Sequence, residues 1–393
     1  MTDAESADRH AAVPVWRDAR VLRIAGQVVV VLAVVGLLGF LVRNLVTAMD
    51  QRGLSFAFGF LEQTAGFEIG ESPVPSSATD TYAQAFIVGL LNTLFISFLG
   101  IILATILGII VGVARLSPNW LVSRVAGGYV ELIRNTPLLV QLFIIFFAVL
   151  AQLPPVRESI TLPGAIFLNQ RGLYVPAPQL TGTLGPWLVL VAIGVAAAVV
   201  AWIVASRRDA ATQPTYRLRS ISLVVLAALT VIGWIVLAPV RFDVPVLGRF
   251  NFSGGMALSS PFTALLVGLV VYTAAFIGEV VRGGIQAVRR GQLEAARALG
   301  LSEGQVLRLV IFPQALRVIV PPLTSQYLNL TKNSSLAIAV GYPDLFKIGA
   351  TMANQTGQPV PVIALVMGTY LAISLITSAL MNIYNRRIQV LER

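Results

Sequence analysis

Long apolar windows recur along this chain, and they constrain its fold more than any other feature. A charge-free stretch of about 20 residues is long enough to cross a bilayer as a helix. Such stretches predict eight transmembrane helices, at 24–43, 84–113, 135–153, 186–205, 220–238, 261–281, 315–335 and 361–383. The seventh is unusual, because only fourteen uncharged residues separate Arg317 from Lys332 and a Pro-Pro pair lies among them. The sequence therefore predicts an all-α polytopic membrane protein.

Composition excludes most other classes of protein. Hydrophobic residues make up 56% of the chain and charged residues 12%, about half of the charged fraction that is usual in soluble domains. The chain has no Cys, and its one histidine, His10, lies in a polar N-terminal tail. This excludes disulfides and thiolate chemistry, and it argues against histidine catalysis and Cys or His metal sites. We expect neither catalysis nor a bound metal or cofactor in this chain.

The distribution of the net charge of +10 orients the predicted helices. Cytoplasmic loops of membrane proteins carry an excess of Lys and Arg. With the N-terminus inside, 20 of the 28 basic residues and 10 of the 18 acidic residues fall on the inner side. Both termini are then cytoplasmic. Because the basic surplus is a topology signal, we expect no nucleic-acid partner.

The first predicted helix, 24–43, is interpreted as a retained anchor rather than a cleaved signal peptide. Its polar lead contains four acidic residues, whereas the lead of a signal peptide is short and basic. The polar segment 44–83 follows on the outer side.

The longest predicted cytoplasmic loop, 282–314, contains a short helix between two glycines. Gly300 stands where a helix C-terminus favours glycine, and Glu294 falls in the first turn, where the helix dipole favours an anion. Ala295 and Ala296 would allow the close approach of a partner. The alternative is an amphipathic linker that only joins two spans.

A second helical stretch, 302–312, is predicted after the first, which covers 292–299. Ser302 is placed as its N-cap. Pro313 is expected to end it, because proline cannot continue a helix without losing a hydrogen bond.

The same loop resembles the EAA signature of bacterial ABC importer permeases. That signature is Glu-Ala-Ala, three residues, Gly, nine residues, and then an apolar residue, any residue, an apolar residue and Pro. The matching residues here are Glu294, Ala295, Ala296, Gly300, Val310, Phe312 and Pro313. The loop also lies two spans before the C-terminus, as it does in the family.

The resemblance extends to about half of the chain. The first half of a polar-amino-acid permease is similar to 89–150, through Gly-Leu-Leu-Asn-Thr-Leu at 89–94 and Glu-Leu-Ile-Arg-Asn-Thr-Pro-Leu-Leu-Val-Gln at 131–141. The second half is similar to 272–385. The insertion between the halves looks like that of the general L-amino-acid branch, whose permeases work in unlike pairs.

The resemblance implies a five-helix type I ABC importer permease core, built from the second, third, sixth, seventh and eighth predicted helices, plus three extra helices. The chain then divides into an N-terminal part, 1–83, and a first core half, 84–153. An insertion with two extra spans, 154–260, separates these from the second core half, 261–393, which contains the coupling loop 282–314.

The resemblance also implies function and partners. A phosphate loop of the form Gly-x-x-x-x-Gly-Lys-Ser/Thr is absent from the sequence, so ATP and Mg²⁺ would belong to a separate cytoplasmic ATPase in two copies. A second, unlike permease and a periplasmic amino-acid-binding protein would complete an importer in the bacterial inner membrane. Its cargo would be acidic L-amino acids and their amides, or a wider range. Glu294 would be the polar anchor on the ATPase, and Ala295, Ala296 and Gly300 would provide a close fit.

Ionisable groups inside spans are costly, so they are candidates for a substrate pathway. Lys332 interrupts an uncharged stretch, and its alternative role is to reach the outer headgroups. Glu279 lies near the inner end of the sixth predicted helix. Its alternative role is an ion pair with Arg282, three residues further on.

Polar residues surround Lys332 in the sequence; they are Gln326, Asn329, Asn333, Ser334 and Ser335. The first three share one helix face by their spacing. Lys332 and the hydroxyls would hold a carboxylate, and amide oxygens would accept from an ammonium. The alternative is a polar stripe that only packs helices together. In the polar-amino-acid family this string commonly reads Lys-Asp-Ser/Thr-Ser-Leu near the bound substrate, and with Asn333 here a partner would supply the anion.

The third predicted helix offers two more candidates for the pathway, Thr136 and Gln141. Pro137 restricts Thr136 and starts the helix, which places Gln141 one turn further on.

Two other classes compete with an ATP-driven importer. A stand-alone secondary transporter usually needs acidic relays buried mid-span, and only Glu279 is available, near an edge. A structural membrane protein would need neither the EAA string nor the polar stripe.

Overall fold

The structure, a computed structural model, describes residues 19–51, 56–209 and 216–389. In these ranges seven helical stretches are long and apolar enough to cross a membrane, and a strongly bent pair makes an eighth if it is one span. Each of the eight predicted helices falls on one of these stretches. The prediction of a helical polytopic membrane protein is therefore confirmed.

The helices in chain order are α1 (Ala19–Gln51), α2 (Tyr82–Ala114), α3 (Trp120–Asn135), α4 (Leu138–Phe143), α5 (Leu184–Asp209), α6 (Tyr216–Leu237), α7 (Ser260–Gln286), α8 (Arg290–Ala298), α9 (Glu303–Gln305), α10 (Phe312–Asn333), α11 (Leu345–Thr356) and α12 (Pro359–Gln389). A π-helical turn, Val306–Ile311, joins α9 to α10, and a 3₁₀ turn, Ser334–Ala339, extends α10. The long helix from 303 to 339 is thus one candidate span.

The third span is broken in the middle. Its N-terminal half is α3, and its C-terminal half is α4 with the π-helical turn Ile144–Val149 and the 3₁₀ turn Leu150–Gln152. The two halves meet at an angle of 105°. The predicted window 135–153 covers only the C-terminal half, because charged residues on the amphipathic α3 interrupt the apolar pattern.

Short strands form in the predicted insertion 154–260, and the sequence analysis did not predict them. They are β1 (Ile160–Leu162), β2 (Ile166–Asn169), β3 (Gly172–Val175), β4 (Ala177–Leu180), β5 (Val240–Asp243), β6 (Val246–Leu247), β7 (Phe252–Ser253) and β8 (Met256–Ser259). The antiparallel order β1-β2-β3-β8 forms one sheet, and β4-β5 and β6-β7 form two ribbons. Strands of two to four residues give too little alternation to be recognised in a sequence.

Glycines let α2 and α7 approach each other closely. A Cβ atom added at Gly112 would lie 2.7 Å from the carbonyl oxygen of Gly278, and one added at Gly108 would lie 2.5 Å from the side chain of Ile277. Small residues at a helix contact allow this approach, which increases van der Waals contact where lipid supplies no hydrophobic driving force. The α2–α7 contact is the most extensive between any two described elements.

Other core helices pack on this pair. A Cβ at Gly100 of α2 would contact Leu330 of α10, and one at Gly89 would contact Ile348 of α11. By contrast, the apolar window of α1 has no buried residue, and α5 and α6 pack mainly on each other. This arrangement agrees with a core to which the first helix and the inserted pair are peripheral. The domain boundaries themselves stay a prediction.

We expect Gly112→Ala to lower the thermal unfolding midpoint of the protein in detergent. The added methyl group overpacks the α2–α7 contact, and overpacking typically costs about 1–3 kcal/mol. The matched control is Gly127→Ala on α3, where an added Cβ would meet no atom within 4 Å. Equal midpoints for the two variants would contradict the proposed close contact.

Candidate functional site

The helix α8, which the resemblance predicts to be the coupling helix, ends in a conformation that favours glycine. Gly300 has a φ angle of +77°. Its N–H donates to the carbonyl of Arg297 at 2.9 Å, and the N–H of Leu301 donates to the carbonyl of Ala296 at 3.2 Å. These two bonds form a Schellman motif, which closes a helix C-terminus around a left-handed residue. The prediction that Gly300 follows a helix end is confirmed.

The coupling helix presents only part of its predicted contact surface. Glu294 and Ala295 are exposed, and so is Leu299 just beyond the helix. Ala296 is buried within this chain, where α8 packs on the π-helical turn before α10. A partner can therefore reach Glu294 and Ala295 directly. The small side chain of Ala296 therefore serves a contact within this chain.

The turn after the coupling helix is held by an ion pair. The guanidinium of Arg297 donates two hydrogen bonds to the carboxylate of Glu303, at 2.8 and 3.1 Å. Ser302 occupies the N-cap position of the following helix, as predicted, and its N–H donates to the side chain of Gln305 at 2.9 Å. The ion pair is fully exposed, so it fixes geometry more than it adds stability.

The predicted end of the second loop helix at Pro313 is wrong. The helix continues through Pro313, which occupies the first turn of α10, and the span begins at Glu303 rather than near 315. The π-helical turn Val306–Ile311 ends two residues before the proline. A π turn changes the hydrogen-bond pattern, so it can accommodate a residue that has no N–H. The non-spanning part of the predicted loop 282–314 is therefore shorter than expected.

Lys332 lies at the mouth of a cleft of about 680 Å³ between the end of α10 and the helices α11 and α12. The polar residues that line this Lys332 cleft are Lys332, Ser335, Asn354 and Tyr370. Its walls are otherwise apolar, with Phe346, Val366 and Met367. The side chain of Lys332 is exposed, and its ammonium makes no hydrogen bond or ion pair with any residue that the structure describes. Its backbone carbonyl accepts from the hydroxyl of Ser335 at 2.8 Å.

The other residues of the predicted polar stripe are not all in this cleft. Gln326, Asn329 and Asn333 lie on α10 with the expected helical spacing, but they do not line the cleft. Ser334 is fully buried, and its hydroxyl donates to the carbonyl of Thr331 at 2.8 Å. The structure thus places Lys332 and Ser335 together on one cleft and turns Ser334 into the core.

The sequence analysis missed a buried acid behind the cleft. Asp344 caps α11, because it accepts from the N–H of Lys347 at 2.9 Å, and it also accepts from the hydroxyl of Tyr370 at 3.0 Å. Burial raises the pKa of Asp344 to about 6, although these hydrogen bonds act in the opposite direction. Asp344 therefore orients a hydroxyl that lines the Lys332 cleft. An Asp before an apolar run is a helix N-cap signal, and it was the clue available in the sequence.

Gln141 lies at the break in the third span. Its amide nitrogen donates to the carbonyls of Ile133 and Thr136, each at 2.9 Å. These carbonyls lie at the C-terminal end of α3, where backbone carbonyls lose their intrahelical partners, and that of Ile133 also accepts from the N–H of Thr136 at 3.4 Å. Gln141 is 6% exposed, whereas Thr136 is partly exposed. Gln141 thus bridges the two halves of the span, and a role for either residue in the pathway stays a prediction.

Glu279 lies apart from the Lys332 cleft, toward the C-terminal end of α7. Its carboxylate pairs with Arg282, as the alternative interpretation expected, and also with Arg115 at the end of α2. The structure therefore does not bring Glu279 together with the cleft residues.

Packed apolar spans, an exposed short helix between two of them and a cleft lined by a lysine are features of a polytopic membrane permease. The family described as "Binding-protein-dependent transport system inner membrane component" matches residues 210–390. The chain is 47% identical to the putative amino-acid ABC transporter permease protein YhdX of Escherichia coli K12, over 93% of this chain and 94% of that protein.

Two further relatives match nearly the whole chain. The general L-amino acid transport system permease protein AapQ of Rhizobium johnstonii is 44% identical, over 93% of this chain and 92% of that protein. The glutamate/glutamine/aspartate/asparagine transport system permease protein BztB of Rhodobacter capsulatus is 43% identical, over 96% of each. The chain belongs to the family of inner membrane permease components of binding-protein-dependent ABC transport systems.

We expect Gly300→Val to open the Schellman motif, because a left-handed conformation costs a side chain about 1–2 kcal/mol. Gly300→Asn should be tolerated better, since Asn adopts this conformation more readily and an added Cβ would meet no atom within 4 Å. Hydrogen exchange of the amides of Gly300 and Leu301 measures the effect. Gly291→Ala, in the same helix and in open space, is the control. Equal exchange in the Val and Asn variants would contradict this reason for the glycine.

Proposed function

We propose that this chain is the permease subunit of an ATP-driven importer that moves L-amino acids from the periplasm to the cytoplasm. The names of the relatives that match over nine-tenths of the chain support this cargo. Two classes of cargo are candidates: acidic amino acids and their amides, or a broad range of L-amino acids.

The observation that carries the proposal is the unpaired ammonium of Lys332 at an intramembrane cleft. A cation in such a place is costly unless it meets an anion. None of the described residues that line the cleft is acidic. The site therefore suits a carboxylate, with the amide of Asn354 as a further donor. The hydroxyls of Ser335 and Tyr370 already donate to the carbonyl of Lys332 and the carboxylate of Asp344, so they remain as acceptors.

The volume of the cleft suits a small ligand such as an amino acid, since ligand pockets run from about 300 to 1,000 Å³. An amino acid also carries an ammonium, which needs an acceptor. Asn333, where the related family commonly has Asp, lies outside the cleft. A second, unlike permease subunit is the proposed source of the missing anion.

Coupling to ATP is assigned to α8. This helix is exposed, and Glu294 and Ala295 face outward from the chain. A cytoplasmic ATPase, in two copies that hold ATP and Mg²⁺, would bind this helix. The distribution of Arg residues supports an orientation with both termini in the cytoplasm. On the opposite side, the outer strands are available to a periplasmic amino-acid-binding protein.

The proposed function is tested with the complete complex in liposomes, with the binding protein on the outside and ATP inside. Uptake of radiolabelled glutamate, glutamine and other L-amino acids should require ATP and the binding protein. Uptake by the permease alone, down an ion gradient, would instead support a secondary transporter.

We expect Lys332→Ala to abolish the stimulation of ATP hydrolysis by substrate in this complex, because the cleft loses its only cation among the described lining residues. Lys332→Arg keeps the charge and should retain part of the response. A wild-type response in the Ala variant would remove Lys332 from the site.

We expect Glu294→Lys to uncouple ATP hydrolysis from uptake while the protein remains in the membrane. The substitution reverses the charge on the exposed face of the coupling helix. Glu158→Lys makes the same change of charge at an exposed residue of the outer segment and is the control. The assignment of the coupling helix fails if both variants transport like the wild type.

A further inference from the structure

Three charged side chains form a cluster at the inner ends of α2 and α7, which we call the inner clamp: Arg115, Glu279 and Arg282. Arg115 is the C-cap of α2, and the other two lie on α7. The carboxylate of Glu279 is paired with both guanidinium groups, and Nε of Arg282 donates to it at 3.1 Å. The clamp is therefore an ionic link between two helices.

The clamp lies close to the coupling helix along the chain. Arg282 also donates to the side chain of Gln286 at 2.6 Å, and Gln286 is the last residue of α7. Only three residues, 287–289, separate α7 from α8. A linker this short cannot absorb a large displacement, so a movement of α8 acts directly on the inner end of α7.

The chain that follows the coupling helix also contacts α7 near the inner clamp. Through the π-helical turn, the chain leads from α9 to α10. Ile319 of α10 lies directly against the backbone of Gly284 in α7, in the space that a Cβ would occupy. The helices α7 and α10, which flank the coupling loop, thus meet within one turn of Arg282 in the inner clamp. Through Glu279, the clamp also joins α2 to them.

The energetics favour a mechanical role for this link. The side chains of Arg115, Glu279 and Arg282 are only 18%, 29% and 28% exposed, so water screens them less than it screens a surface pair. Removal of one partner from a partly buried pair leaves the other charge uncompensated. The clamp therefore resists the separation of α2 from α7 at their inner ends.

We propose that Glu279 is a positioning residue for energy coupling, which makes the inner end of α2 move with the coupling helix. This inference rests on the proposed function. It assigns Glu279 to coupling rather than to the substrate pathway.

The test begins with Glu279→Gln in the complete complex in liposomes. We expect the amount of amino acid imported per ATP hydrolysed to fall by about fivefold or more, the lower end of typical coupling between sites. Arg115→Gln should have the same effect, although it leaves the pair of Glu279 and Arg282 in place. An unchanged ratio in both variants would overturn the proposal.

A reversible cross-link separates coupling from folding. A Cβ at Gly278 would lie 3.3 Å from that of Val111, near the separation of about 3.5–4.5 Å that a disulfide needs, and the chain has no other Cys. In the Glu279→Gln background, oxidation of the pair Val111→Cys and Gly278→Cys should restore the ratio, and reduction should remove it again. The reduced protein is its own folding control.

The same pair with Glu279 intact gives the strongest test. If α2 and α7 move as one body, the oxidised protein should import as well as the reduced protein. A block of import by the disulfide would overturn the proposal, because it would show that the two helices separate during transport. Failure of the wild-type complex to import any amino acid would instead contradict the proposed function and leave no ratio to compare.

Discussion

The contact between α2 and α7 is the interaction on which the rest of the described core depends. A Cβ atom added at Gly108 or Gly112 of α2 would overlap Ile277 or the carbonyl of Gly278 in α7, so glycine permits the close approach. In a lipid environment, close packing of this kind supplies association energy that the hydrophobic effect cannot. The remaining core helices then pack on the pair, with α10 on both helices and α11 on α2. The ionic link at Glu279 lies at the inner end of the same contact.

The polar side chains of the candidate site lie where helices are interrupted, not within regular helix. A broken span frees backbone carbonyls inside the membrane, and each needs a partner. Gln141 supplies two hydrogen bonds at the break after α3. At the end of α10 the chain changes to a 3₁₀ turn, and there Lys332 and Ser335 reach the cleft. Lys332 and Ser335 therefore lie where the regular α-helix ends.

The fold could be predicted from sequence further than the site could. Apolar windows located every span, because each must match the thickness of a bilayer. The N-terminal half of the third span was missed, since charges on α3 interrupt its apolar pattern. The turn at Gly300 was predicted because glycine after a helix is a local signal. By contrast, the buried carboxylate of Asp344 was missed, because its partner Tyr370 lies 26 residues away along the chain.

The sequence by itself determined where the apolar helical spans lie and where the short helix α8 ends. These depend on local composition and on periodicity. Only the tertiary structure decided which polar side chains meet. It paired Glu279 with Arg115 from another helix, buried Ala296 and Ser334, and left Lys332 unpaired at a cleft. The physical reason is that these outcomes depend on the packing of helices distant in the chain, which no local pattern records.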